Sequence, residues 1–188
     1  MYDSGKTLVL NSKQSLDNDN TGVAQKYIEE LLILYPNYSI SHFLKGRLCY
    51  KLGQTSAAIE SLNKAISLDP ESTEAHAYLG YSYVASGAFN DAFNALGKSL
   101  ELNSQNVTAR CTLAFVSNII KKEDEAKEHL KKALLIDPTE TMNWFHQFFN
   151  IIVLPTSQVN SQTKLQIKRG IEELQKLADA IKKQNQRT

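Results

Sequence analysis

Only a few residues have types and spacing that chemistry demands. Gly5-Lys6-Thr7 ends as a phosphate-binding loop ends, with a Lys for the phosphates and a hydroxyl for Mg²⁺. Such a loop needs a further Gly five residues before Gly5, and the chain begins too late to supply it. His42 and His76 hold equivalent places in a repeated pattern, an arrangement that would suit a shared metal if the elements carrying them stack. Packed helices lie roughly 10 Å apart, and no Cys or carboxylate joins the pair in register, so both read as packing histidines. His129 sits among charges and His146 on an aromatic face, neither with a partner for nucleophilic or acid–base work. Cys49 and Cys111 lie far apart in the chain, in no metal-ligand spacing. They read as two buried free thiols in a reducing, cytoplasmic setting. Glu123-Asp124-Glu125 after Lys121-Lys122 reads as a solvated turn and helix start. The expectation is a chain that is not an enzyme and holds no metal or cofactor.

Composition agrees with a binding module. The 188 residues are 42% apolar, enough for one domain with a continuous core. The net charge of +1 demands neither a nucleic acid nor an acidic substrate. Residues 163–188 hold seven Lys/Arg against three Asp/Glu, so the basic charge gathers at one end, most simply as a solvated helix face. The most apolar stretch, Trp144 to Leu154, is too short to span a bilayer.

The elements that would position any site are set by a repeat. Pro36 and Pro70 mark one interval, and Pro138 follows after twice that interval, with Ser104 in the missing middle place. Ala24, Ala58, Ala92 and Ala126 keep the same 34-residue step. So do Ile28, Leu62, Leu96 and Leu130, and then Leu31, Ala65, Ser99 and Ala133. A fixed period of this length is the signature of stacked supersecondary units. Each unit reads as two helices joined by a short turn; the clearest has helices over 73–86 and 90–102 around Gly87. Gly53 and Gly87 stand where a helix ends left-handed. Gly46, Gly80 and Ala114 let paired backbones approach, while Leu62, Leu96 and Leu130 fill the space between.

This pattern resembles the tetratricopeptide repeat, through Leu79-Gly80, Tyr83, Ala92, Leu96 and Ser99 in the best copy. Ala58, Leu62, Ala65 and Pro70 carry the match on one side, and Leu113, Ala114, Ala126, Leu130, Ala133 and Pro138 on the other. The resemblance implies an all-α fold, a right-handed superhelix of helical hairpins with a C-terminal capping helix. Units fall at 5–38, 39–72, 73–106 and 107–140, as one solenoid domain. The first is degenerate, with a poor first helix, Asn11-Ser12 in place of the Leu-Gly pair and the loop-like run Asp17 to Asn20. Lys45 takes the place of a buried Leu, so its helix is expected to be rotated or its stem to snorkel. A half-repeat with Trp144, Phe148 and Ile151 covers 141–154, a loop 155–163, and the closing helix 164–183. Ile167, Ile171, Leu174, Ala178 and Ile181 form one apolar stripe on that helix.

Relatives with this repeat hold extended peptides or helices on a concave face lined by their first helices. That geometry, carried over, makes the groove residues Phe43, Arg47, Tyr50, Glu74, Tyr78, Tyr81, Val84, Thr112, Phe115 and Asn118. A second reading packs these side chains on neighbouring repeats or under the closing helix, and the sequence leaves both open. The function implied is a protein-binding scaffold or adaptor, its partner a protein or peptide rather than a nucleic acid or membrane. The alternative is the repeat portion of a larger enzyme or assembly, since Ile152 to Pro155 and the Ile167 to Ile171 run are faintly similar to the linking segment of repeat-bearing glycosyltransferases. Self-assembly through the C-terminal region is a third reading. Many relatives clamp acidic chaperone tails with several cations, whereas each three-repeat window here offers one, Lys13 in the first and Arg47 in the next, and Glu74 in the first would repel a carboxylate. Calorimetry with such a tail is expected to show binding no tighter than about millimolar, near −4 kcal/mol; micromolar affinity would contradict it.

Overall fold

The computed structural model describes residues 2–148, and 165, 168, 169, 172, 173, 176, 178–180 and 183 beyond them, with side-chain surroundings from residue 5 and not at 146 or 148. Its helices are α1 (Tyr2–Asp17), α2 (Thr21–Leu34), α3 (Ser39–Lys51), α4 (Thr55–Leu68), α5 (Thr73–Ser86), α6 (Phe89–Leu102), α7 (Val107–Ile119), α8 (Glu123–Ile136) and α9 (Pro138–Phe148). No strand occurs among the described residues. Two compact units divide the chain, 1–82 and 83–188, with the boundary inside α5. In the first, α1 packs on α2 and α3, α2 on α3, and α3 on α4. In the second, α7 packs on α6, α8 and α9, and α8 on α9.

The in-phase residues are the core. Ala24, Ala58, Ala92, Ile28, Leu62, Leu96, Leu130, Leu31, Ala65, Ser99 and Ala133 are all no more than 1% exposed, and Ala126 is 2% exposed. Helix pairing demands the small ones. A Cβ at Gly46 would lie 2.6 Å from Leu62 Cγ and 3.3 Å from the Ala58 carbonyl oxygen, so α3 approaches α4 more closely than any larger residue allows. That fixed contact also settles Lys45. Gly46 keeps the phase of its repeat, so α3 is not rotated, and Lys45 is exposed while Leu44 and Leu48 are buried.

α1 corrects the expectation of a poor first helix. It runs 16 residues and buries Leu8, Ser12 and Leu16, one apolar face at steps of four. Ser12 stands one full repeat before Gly46 and serves as that position's small residue. Its hydroxyl donates to the Leu8 carbonyl at 2.7 Å, which satisfies it inside the core. The run after Asp17 forms a tight turn, and Asn20 caps α2 by accepting the Val23 N–H at 3.4 Å.

The turns repeat as strictly as the core. Asp19, Gly53, Gly87 and Lys121 have φ of 55°, 71°, 80° and 66°. They recur at the repeat step, so one left-handed residue follows the first helix in each of the four repeats. Second helices end alike: the N–H groups of Tyr35, Asp69, Asn103 and Asp137 bond to the carbonyls of Leu31, Ala65, Ser99 and Ala133. The last turn departs from the pattern. α9 starts at Pro138 rather than 141, because Asp137 both ends α8 and caps α9. Its carboxylate accepts the Glu140 N–H at 2.8 Å and its carbonyl the Thr141 hydroxyl at 2.7 Å, with Pro138 at the first helical position. Residues 149–154, the loop 155–163 and Ile167, Ile171, Leu174 and Ile181 lie outside the described residues, and those of 165–183 that are described are helical.

A left-handed non-glycine residue costs roughly 1–2 kcal/mol. Nothing lies within 4 Å of a Cβ built at Gly53, so its substitution would test conformation alone. Lys121→Gly is expected to raise stability by about 0.5–1 kcal/mol, and Gly53→Ala to lower it by about 1–2 kcal/mol. Urea titrations check both, and opposite signs would refute a left-handed turn at these positions.

Candidate peptide-docking surface

The groups with chemical types are placed in structural work. Gly5 lies inside α1, where a Cβ would come within 3.1 Å of the Tyr35 ring; Gly5-Lys6-Thr7 is helix and not a phosphate loop. His42 Nε2 bonds to the Pro36 carbonyl at 2.7 Å, and His76 Nε2 to the Pro70 carbonyl at 2.9 Å, each tying a first helix to the turn before it. Arg110, at the equivalent place in the next repeat, makes the same contact by donating Nη2–H to the Ser104 carbonyl. Sequence reasoning missed Arg110 because only the register, not the side-chain type, links it to the histidines. His129 sits below its usual value, chiefly through burial and then through Arg110 and Lys132. Burial pushes the Cys49 thiol up and the Cys111 thiol up to about 12, so neither presents a thiolate nucleophile. Among the described residues no three His, Cys, Asp or Glu side chains gather as a metal site.

The ten groove candidates fall into two groups. Six lie in the first unit, on α3 and the early part of α5. There Tyr78 is the hub: its ring meets Phe43 at 5.6 Å, Tyr50 at 5.8 Å and Tyr81 at 5.4 Å, all edge-on, and Tyr50 meets Tyr81 at 6.3 Å. Edge contacts set the positive rim of one ring against the negative face of the next. The Arg47 guanidinium stands 5.6 Å from the centre of the Tyr78 ring, within cation–π range. Asp17, at the end of α1, pairs with Arg47 and fixes it there. Burial works against the Arg47 charge, but the Asp17 hydrogen bond and Tyr78 outweigh it and hold the guanidinium above its usual value. Tyr50 is pushed well above the ordinary tyrosine range by burial and then by Tyr78. Tyr50, Tyr78, Tyr81 and Arg47 stay partly exposed, Glu74 is exposed, and Phe43 is buried. Asp17 was read as loop from the sequence, so its role went unseen.

The other four lie in the second unit, and the structure places three of them inside rather than on an open face. Val84, Thr112 and Phe115 are 0%, 1% and 0% exposed. Phe115 meets Phe89 of α6 edge-on at 6.4 Å. Thr112 donates to the Thr108 carbonyl at 2.8 Å and accepts the Trp144 indole N–H at 3.2 Å, which ties α7 to α9. Asn118 is partly exposed and donates Nδ2–H to Glu173 Oε2 at 3.1 Å. The burial reading left open by the sequence therefore holds for Val84, Thr112 and Phe115, and for Phe43 in the first unit.

Comparison with known proteins agrees with this geometry. A family profile described as TPR repeat matches residues 46–87, and one described as tetratricopeptide repeat matches 107–140. The TPR repeat-containing protein MJ1428 of Methanocaldococcus jannaschii is 35% identical over 133 residues, 65% of this chain and 23% of its own length. The chain carries tetratricopeptide repeats. Among solved structures, this tetratricopeptide-repeat chain is similar to PilF of Pseudomonas aeruginosa, with a TM-score of 0.67, 17% identity and coverage of 98% of this chain and 91% of that one. It is also similar to an O-GlcNAc transferase of Thermobaculum terrenum, with a TM-score of 0.67, 21% identity and coverage of 71% of this chain and 26% of that one. It spans 15% and 23% of the length of the curated relatives it matches first. No helix among the described residues is long and apolar enough to cross a membrane.

Both thiols are expected to resist a thiol reagent at pH 8 in the folded protein and to react at once in denaturant. Fast reaction of either in the native state would contradict the burial that raises them.

Proposed function

We propose that this chain is a scaffold module that holds a peptide or helix on the inner face of its first helices, anchored by Arg47, Tyr50, Tyr78 and Tyr81. Tetratricopeptide repeats serve protein–protein interaction, which gives the general role. The observation that carries the finer reading is the partly exposed cluster of three tyrosines around a cation. Tyr and Arg are common energetic anchors, because they offer large rigid contact area with a polar handle. Mutual edge packing orders the rings before a ligand arrives and so lowers the entropic cost of binding. Asp17 keeps Arg47 in place, while Glu74 at the margin disfavours acidic peptides.

A second reading has one observation in its favour. Coverage of only 15% and 23% of the curated relatives fits a chain that is the repeat portion of a longer protein, such as a repeat-bearing glycosyltransferase. In that case the same surface would present substrate proteins or assembly partners to the rest of the molecule.

A displayed peptide library selected on the chain supplies ligands without knowledge of the natural partner. Tyr81→Ala is expected to weaken the selected ligands by roughly 1–3 kcal/mol, with the melting temperature nearly unchanged. Leu96→Ala should instead destabilise the fold by about 2–5 kcal/mol, because Leu96 is fully buried. If Tyr81→Ala melts the protein as severely as Leu96→Ala, the tyrosines are core and the reading fails.

A further inference from the structure

The inner face of the second unit is already covered. Thr112 and Phe115 stand one repeat after Tyr78 and Tyr81, so register alone would leave them equally open. Tyr78 and Tyr81 stay partly exposed, whereas Thr112 and Phe115 are 1% and 0% exposed. Every residue from Ala109 to Ser117 is buried. So long a run sweeps all sides of a helix at about 3.6 residues per turn, and α7 is therefore enclosed all round and not on one stripe.

Three neighbours of α7 are α6, α8 and α9. A fourth reveals itself at the end of the inner face, where Asn118 donates to Glu173 at 3.1 Å. Glu173 belongs to the C-terminal helical stretch, whose described residues divide by face. Leu165, Lys168, Arg169, Glu172, Glu173, Lys176, Asp179, Ala180 and Lys183 are exposed, and they recur at helical spacing. Ala178 is fully buried, and it belongs to the apolar series that the sequence sets at 167, 171, 174, 178 and 181. Among its described residues the stretch thus turns its charged side chains to solvent, buries Ala178 and meets the end of α7 through Glu173.

We propose that the face of α7 carrying Thr112, Phe115 and Asn118 is a helix-docking site occupied in cis by the chain's own C-terminal helix. Its ligand class follows from that occupant: an amphipathic helix with apolar residues at alternating steps of four and three and a carboxylate set against Asn118. A partner helix of this kind binds by displacing the resident one, which keeps the second unit closed until a competitor arrives. This deepens the inner-face reading above by naming the ligand for the second unit. It needs no contribution from the tyrosine cluster, so the two stand or fall separately.

The test uses the intact chain and a fluorescein-labelled peptide of residues 164–188. Glu173 is exposed, so Glu173→Ala leaves folding intact and loosens only the resident helix. The labelled peptide is expected to bind the Glu173→Ala chain at least about tenfold more tightly than the unaltered chain, a gap that corresponds to the loss of one charge-assisted hydrogen bond. A peptide that itself carries Glu173→Ala should bind that same chain several-fold more weakly. Amide exchange over 109–117 should quicken in the Glu173→Ala chain and slow again when the peptide is added. Equal capture by both chains, capture by neither, or exchange unmoved by the substitution would overturn the proposal.

Discussion

Everything in this molecule depends on how closely two helices of one repeat can approach. Gly46 against Leu62 and the Ala58 carbonyl shows the limit, since a single Cβ would intrude to 2.6 Å. Once that approach is fixed, Leu62 has a defined hole to fill, and Ile28, Leu96 and Leu130, at the same place in the other copies, are likewise fully buried. Each such side chain contributes roughly 1.5–3 kcal/mol on burial, and the phase repeats that contribution in all four copies. Turn geometry follows from the same step. One residue in the left-handed region reverses the chain within a short turn, and Gly at two of the four places avoids its steric cost.

Function follows from what this packing leaves over. The small and branched residues of each repeat are consumed in the core, so the remaining face of each first helix is the surface that sequence can vary freely. In the first unit that face carries Tyr50, Tyr78 and Tyr81 around Arg47, ordered by ring contacts and by Asp17. In the second unit the equivalent face carries Thr112, Phe115 and Asn118. The same register thus presents an open aromatic surface in one unit and an enclosed one in the other. The difference lies in what covers α7, not in the repeat itself.

How much of this the sequence discloses depends on how locally each feature is specified. The alanines and leucines at 34-residue spacing are legible because core positions tolerate few residue types and repeat in every copy. Gly53 and Gly87 are legible as turns for the same reason. Asp19 and Lys121 occupy the identical conformation with side chains that do not advertise it, and only the register would have found them. α1 was underrated because Ser12 replaces Gly, although its hydroxyl is satisfied by its own helix and it remains small enough to pack. Lys45 leaves a rotated helix or a snorkelling stem open in the sequence, but a helix locked by Gly46 has no freedom to rotate and exposes the side chain. Thr112 and Phe115 stay open between groove and core in the sequence, because their burial involves partners in other helices, Trp144 among them for one and Phe89 for the other.

One repeat register yields an accessible tyrosine cluster on the first unit and a shielded face on α7. Hydroxyl-radical footprinting of the intact chain, read residue by residue by mass spectrometry, tests it most directly. Aromatic rings oxidise readily wherever solvent reaches them. Strong labelling is expected at Tyr78 and Tyr81 and protection at Phe115, which holds the place of Tyr81 in the next repeat. Labelling of Phe115 as strong as that of Tyr81, or protection of Tyr78 and Tyr81 as complete as that of Phe115, would contradict it.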